Sequence, residues 1–314
     1  MMKTEGFTYK IKKYKDIIWF LIPAMIFAIV FAYIPMVGIL IGFKDNLNLT
    51  RYGVFDAFAR ANWTLDNFRT LLSSTEFLKV IGNTLAISIL KIVILFPLPI
   101  ILSVMITEVS NSKFSKSVQS VVYLPHFLSW AVITGIFMTF LALDGPVNSL
   151  FVKMGWMSAD NPVNWFAEKG LFKGLVVALS GWKEVGYSAI VYIAAIMGID
   201  ATLFEAAKMD GAGKMRQIIS ITIPCIMPTI AVLFIIRIGY IMDAGFDEVY
   251  TMLTATTRET GEILGTYIYR IAMGDGGGEY GLSTAAGFFN SVVALFFILS
   301  GNFIVKKLGQ GGMW

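Results

Sequence analysis

Charged residues are scarce in this chain, and so are the residue types on which most catalytic and metal chemistry relies. Only 15% of its 314 residues are Asp, Glu, Lys or Arg, against about 25% in a soluble domain. The one cysteine, Cys225, excludes an internal disulfide framework. The one histidine, His126, excludes a His-rich metal site, and one Cys with one His leaves no plausible hydrolytic triad. There is no GxxxxGK[ST] tract, so the chain cannot build a P-loop. The glycine tract "GDGGGEYG" at 274–281 is no substitute, because no Lys-Ser/Thr follows it and no strand precedes it. It reads as a flexible turn.

Apolar side chains, by contrast, are abundant. The chain is 56% hydrophobic, with a mean hydropathy of +0.71. Apolar runs at 17–41, 80–106, 118–141, 171–198, 223–244 and 282–305 reach or pass the roughly 20 residues that cross a bilayer as helix. The first is too long for a signal peptide's apolar core and has no small-residue cleavage pattern after it, so it is expected to remain as a span. Lipid offers no partner for free backbone groups, so the spans must be helical, and the runs are too continuous for barrel strands. The expected fold is an all-α polytopic membrane protein with six transmembrane helices.

Lys and Arg placement gives an orientation. Lys3, Lys10, Lys12, Lys13 and Lys15 crowd the N-terminal segment. With that segment inside, the 107–117 loop, the polar stretch between spans four and five, and the tail with Lys306 and Lys307 are inside too. These regions hold twelve basic and six acidic residues, whereas the outside loops hold nine and thirteen. Both termini are therefore expected in the cytoplasm: a cytoplasmic segment at 1–16, a membrane domain at 17–305 and a cytoplasmic tail at 306–314. Outside, the segments 44–79 and 144–170 carry Trp63, Trp156 and Trp165. They either contact a soluble partner or cap the bundle, with the Trp residues in the interfacial belt.

Between spans four and five runs "FEAAKMDGAGKMRQIISITIP", from Phe204 to Pro224. Phe204 to Met209 reads as a short helix, Asp210-Gly211-Ala212-Gly213 ends it, Met215 to Thr222 suits a second short helix, and Pro224 suits the start of the next span. An arbitrary helix–gap–helix would be a polar connector. Here Glu205, Ala206, Ala207, Gly211, Ile221, Ile223 and Pro224 stand in an order that resembles the signature loop of ABC importer permeases, with Ile223 where Leu is usual, and Asp210 and Ala212 resemble its sugar-importer form. "NTLAISILKIVILFPLPIILSVMITE" (83–108), "FSKSVQSVVYLPHFLSWAVITGI" (114–136) and "YGLSTAAGFFNSVVALFFIL" (280–299) resemble the permeases of complex oligosaccharide and polysaccharide importers, the LplB type.

The resemblance covers nearly all of residues 10–308. It implies a type I importer permease fold whose loop, about 199–223, forms a cytoplasmic coupling helix in the bacterial plasma membrane. It also implies partners: a second, homologous permease subunit, a dimer of an ABC ATPase that binds the ATP and Mg, and an extracellular lipid-anchored solute-binding protein. No cofactor or metal of its own, no catalytic residue and no nucleic acid partner is expected, and the chain is not expected to be an enzyme. In the loop, Glu205 complements a helix N-terminus, Ala206 and Ala207 permit close approach, and Gly211 permits reversal; these residues and Asp210 are the expected ATPase contacts.

Polar residues inside spans are functional candidates by default. In "LSGWKEVGYSAIVY", Ser180, Glu184, Tyr187 and Val191 share one helical stripe, with Trp182 nearby. In "FIIRIGYIMDAGFDEVY", Arg237, Tyr240, Ile241 and Ala244 share a face, with Asp243 to one side. The resemblance places both where related sugar permeases line their pathway. The aromatic rings suit pyranose faces, and Glu184, Arg237 and Asp243 suit hydroxyls or acidic groups. The competing role is an interhelical network, Arg237 with Asp243 or Glu184, that holds the bundle. Lys91 reads as a structural partner or interface residue, and His126 after Pro125 as a hydrogen-bonded residue at a helix bend; Phe288 and Asn290 are further candidates. A secondary transporter would show inverted repeats, which are not evident. An importer for a non-sugar solute is set aside only by the resemblance.

Overall fold

The computed structural model describes residues 14–45, 52–274, 278–307 and 309. The basic residues Lys3, Lys10, Lys12 and Lys13, the centre of the glycine tract at 275–277 and residues 310–314 lie outside them. The described residues are mostly helical; their one β-contact is an antiparallel bridge between Lys44 and Trp63. Among the described residues, four helices are each long and apolar enough to cross a membrane: Lys15–Phe43, Thr75–Thr107, Lys214–Gly239 and Tyr280–Lys307. Two bent pairs bring the number to six if each pair is one span: Ser112–Phe127 with Trp130–Phe140, at 101°, and Phe172–Met197 with Ala201–Met209, at 69°.

Two segments depart from the sequence reading. The third apolar run is not a straight rod. Pro125 lacks an amide hydrogen, Leu128 and Ser129 are extended, and Ser129 Oγ caps the next helix by accepting the Val132 N–H. The ammonium of Lys183 takes up two carbonyls freed by this break, those of His126 (2.5 Å) and Leu128 (2.7 Å). The second short helix expected after Gly213 is not separate either. Lys214–Gln217, a π-turn at Ile218–Thr222 and Ile223–Gly239 follow one another without interruption. That helix also ends at Gly239 rather than near residue 244. Tyr240 to Gly245 form a turn in which the Asp243 carboxylate accepts the Gly245 N–H (3.0 Å), and Gly245 adopts φ +97°, a conformation that suits a residue without Cβ.

The chain divides into two compact units. One comprises the described chain up to Ser73 with Ile271–Phe288; the other comprises Ser74–Arg270 and the chain from Phe289. In the first, Asn67 Nδ2 donates to the carbonyls of Gly42 and Lys44, each at 2.9 Å, and Gly42 lies against the backbone of Ala285. The buried Lys44 ammonium donates to the Ala61 carbonyl and sits 4.1 Å from the Trp63 ring.

In the second unit, Phe172–Met197 is the hub. It packs along Pro97–Thr107 and touches the second span, the broken third span and the short helix Phe246–Met252. Its first turns meet Ile87, Ala244, Val249, Met252 and Ile263 in the main core, and its last turns meet Ile106 through Ala189 and Ile193. Where helices associate in lipid, close backbone approach replaces the hydrophobic drive. Gly186 supplies it here, since a Cβ at that position would collide with the Val122 carbonyl.

Candidate functional site

The fourth and fifth spans meet around a cavity of about 490 Å³, within the range of small-molecule sites. Ser180, Glu184 and Tyr187 reach it from Phe172–Met197, as expected of positions at i, i+4 and i+7. Arg237 reaches it from the last turn of its helix, and Tyr240 and Asp243 from the turn beyond. The helical face that joins Arg237, Tyr240, Ile241 and Ala244 on paper does not exist, because the helix has ended; Ile241 is buried away from the cavity, and Ala244 is buried at its wall. The turn nonetheless delivers Tyr240 and Asp243 to the same space. Trp182 does not line it. Its ring packs edge-on against Phe137 at 5.4 Å, on another side of the helix.

Each charge of the cavity has a distinct environment. Lys91 and Glu248 form a buried ion pair; Lys91 Nζ also donates to the Ala244 carbonyl (2.6 Å), and Ser180 Oγ donates to Glu248 Oε2 (2.7 Å). Glu184 Oε2 meets His126 Nδ1 at 3.0 Å, and its other oxygen lies 3.9 Å from Lys183 Nζ. The His126 ring lies flat on Tyr187, with centroids 3.6 Å apart and planes at 2°. Thus Lys183, Glu184 and Tyr187 together hold the break in the third span, and His126 is a hydrogen-bonded residue at a bend. Arg237 makes no hydrogen bond or ion pair with any described residue, although Asp243 and Glu184 act on it through space. The direct Arg237–Asp243 or Arg237–Glu184 link considered from the sequence does not form. Lys91 is a structural partner, as read.

Glu248 is the residue that sequence reasoning missed. It follows the fifth run in "FDEVYTM" and looks like part of a polar connector. The signal was indirect: Lys91 sits in an apolar span and requires an anionic partner from somewhere.

The coupling-type loop forms a second, separate feature. Asp200 caps the helix Ala201–Met209 by accepting the Thr202 N–H (2.9 Å), which holds its carboxyl below the ordinary aspartate value. Glu205 and Ala206 are exposed, Ala207 is half-buried, and Met209 is 89% exposed. The N–H groups of Asp210, Gly211 and Ala212 close the helix end onto Ala206, Lys208 and Ala207, with Gly211 at φ +75°. Lys214 then pairs with Glu108 across 2.9 Å. A short helix is thus presented at 69° to the end of the span that lines the cavity.

No group of His, Cys, Asp and Glu suited to a metal ion occurs among the described residues.

Comparison with known proteins agrees with this architecture. Residues 99–311 match the family described as binding-protein-dependent transport system inner membrane component. The polygalacturonan/rhamnogalacturonan transport system permease protein YteP of Bacillus subtilis (strain 168) is 36% identical over 314 residues, covering 99% of this chain and 94% of that protein. Protein LplB of the same organism is 35% identical over 306 residues, covering 97% and 92%. A chain in the crystal structure of a bacterial alginate ABC transporter, in complex with alginate pentasaccharide-bound periplasmic protein, superimposes with a TM-score of 0.86 at 37% identity, covering 98% of this chain and all of that one.

Proposed function

From the premise that this chain belongs to the binding-protein-dependent transport system inner membrane components, we propose that it forms half of an oligosaccharide uptake pathway driven by a separate ATPase. Members of that family are permease subunits of transport systems, not enzymes.

One observation carries the reading. The helix that presents Ser180, Glu184 and Tyr187 to the cavity continues, after a 69° bend, into the exposed helix Ala201–Met209. A movement imposed on the exposed helix therefore reaches the cavity wall through only the three-residue link 198–200. Glu205, Ala206, Ala207, Asp210 and Gly211 form the docking end, and a cytoplasmic ATPase dimer, which binds the ATP and Mg, supplies the movement. An external solute-binding protein delivers the saccharide, and a second, homologous permease completes the path. Tyr187 and Tyr240 offer flat apolar faces beside hydrogen-bonding groups, a combination suited to pyranose rings. Both termini and the 199–223 loop lie on the cytoplasmic side, where the basic residues concentrate.

Reconstitution of the co-purified complex in proteoliposomes tests this. ATP-dependent uptake of labelled oligosaccharides, abolished when the ATPase is omitted, is the expected result. Uptake driven by a proton gradient without ATP, or purification with no ATPase attached, overturns it.

A further inference from the structure

The short helix Phe246–Met252 has two unlike faces. Glu248, Val249 and Met252 are buried, and Glu248 lines the cavity together with Gly245. The opposite face carries Phe246, Asp247 and Tyr250, of which Asp247 and Tyr250 are exposed. Phe246 packs over Gly265 of the helix Leu264–Met273, and Tyr269 stands one turn further along that helix. The three rings are in mutual contact. Phe246 and Tyr250 lie 5.3 Å apart with planes at 14°, Phe246 and Tyr269 5.6 Å apart, and Tyr250 and Tyr269 meet edge to face at 5.1 Å. This packing does not bury the tyrosines: Tyr250 stays 49% exposed and Tyr269 41%. An aromatic cluster thus begins one residue beyond Gly245 in the cavity wall, where the exposed ring of Tyr240 also stands. It belongs to the segment between the fifth and sixth spans, which is external in the orientation proposed above.

We infer that Phe246, Tyr250 and Tyr269 form an external subsite that holds a sugar ring of a chain whose leading end occupies the cavity, so that longer saccharides are favoured over short ones. The inference rests on the reading of this cavity as the solute path and adds to it a second binding position and a length preference. A pyranose ring has apolar C–H faces and a rim of hydroxyls. The aromatic rings supply flat apolar cover at little cost in conformational freedom. The phenol hydroxyls donate and accept, and the exposed Asp247 carboxylate accepts from sugar hydroxyls. A carboxylate on the same face opposes a lipid tail as the occupant, because the tail would strip its water and return no hydrogen bond. The cluster recognises ring shape, which repeats along a saccharide, so each successive ring meets the same surface as the chain advances.

The test measures saccharide affinity of the co-purified complex in lipid nanodiscs, without the external binding protein, and with and without a non-hydrolysable ATP analogue. Its probes are matched disaccharides and pentasaccharides of galacturonate, of mannuronate and of glucose. In at least one series the wild type is expected to bind the pentasaccharide about tenfold or more tightly than the disaccharide. Tyr250→Ala combined with Tyr269→Ala should cut that difference by about threefold or more and leave the disaccharide affinity unchanged. Tyr250→Phe combined with Tyr269→Phe should keep most of it. No length preference in the wild type, no binding of any probe, a smaller cut in the double alanine variant, or an equal loss of disaccharide affinity overturns the inference. A double alanine variant that sheds the external binding protein but keeps the length preference marks the rings as a docking surface and overturns it too. Should that variant fail to assemble, Tyr250→Leu decides, and an undiminished preference there is fatal. ATP-driven uptake separates the two levels: uptake of both lengths with equal half-saturation removes the subsite and leaves the permease reading standing, whereas uptake of no saccharide removes both.

Discussion

Lys91 of the second span and Glu248 of the short helix after the fifth are joined in an ion pair, with both side chains almost completely buried. The pair ties together elements far apart in the sequence. It fixes the turn that carries Tyr240 and Asp243 into the cavity, because Lys91 also holds the Ala244 carbonyl and Ser180 also holds Glu248. Removing one partner strands a charge in a site that cannot hydrate it. Lys91→Met is therefore expected to destabilise the protein by about 3–5 kcal/mol. Lys91→Met combined with Glu248→Met should recover most of that loss. Thermal unfolding of the purified single and double variants checks this. A double variant no more stable than either single would show that the pair acts through something other than mutual charge.

Gly186 lets the fourth span approach the third. A methyl group there would strike the Val122 carbonyl, whereas Gly174, on the same helix, has nothing within 4 Å of where its Cβ would lie. Gly186→Ala should cost about 1–3 kcal/mol, as overpacking does. Gly174→Ala should be neutral or slightly stabilising, since it only improves helix propensity. Equal thermal stability of the two variants would mean that the spans are not in contact there.

At the docking end, Gly211 holds φ +75°, which costs a residue with a Cβ about 1–2 kcal/mol. Gly211→Asp adds a charge to that strain, and Glu205→Lys reverses an exposed charge on the helix. Both are expected to abolish ATP-driven uptake while leaving saccharide binding at the cavity intact. Normal uptake by both variants at normal expression would reduce the loop to a connector.

Glu259 accepts hydrogen bonds from Lys169 (2.9 Å) and Lys79 (3.1 Å), and these ammonium groups hold its carboxyl below the ordinary value. Its folded state binds the proton less readily than its unfolded state. The stability it contributes is therefore fully present above the ordinary glutamate value of 4.5 and is lost as pH falls through its lower folded value. Glu259→Gln should flatten the acid side of the stability curve below that point and leave the neutral side parallel to wild type. Unfolding temperatures measured from neutral pH down to about pH 3, below the reference carboxylate range, give the comparison. An unchanged acid limb would show that the three side chains do not hold together in solution.

What the sequence determined by itself is what local rules control. The apolar runs identified the membrane class and the spans, because length and continuity of hydrocarbon are one-dimensional quantities. The i, i+4, i+7 spacing of Ser180, Glu184 and Tyr187 put three polar groups on one face of an uninterrupted helix, and that face does line the cavity. Gly211 was legible as a turn residue, since positive φ is a property of a single position. Tertiary structure decided where helices stop and which charges meet. Pro125 marks a weak point, but the break at Leu128–Ser129 is held open by Lys183 from another span, and no local pattern contains that ammonium. The fifth helix yields at Gly239 to a turn secured by Asp243, so the face drawn through Ile241 and Ala244 dissolved. Glu248 lies far from Lys91 in the chain and meets it only once the helices pack. A buried charge announces that it needs a partner, but the partner's identity is a fact of three-dimensional proximity.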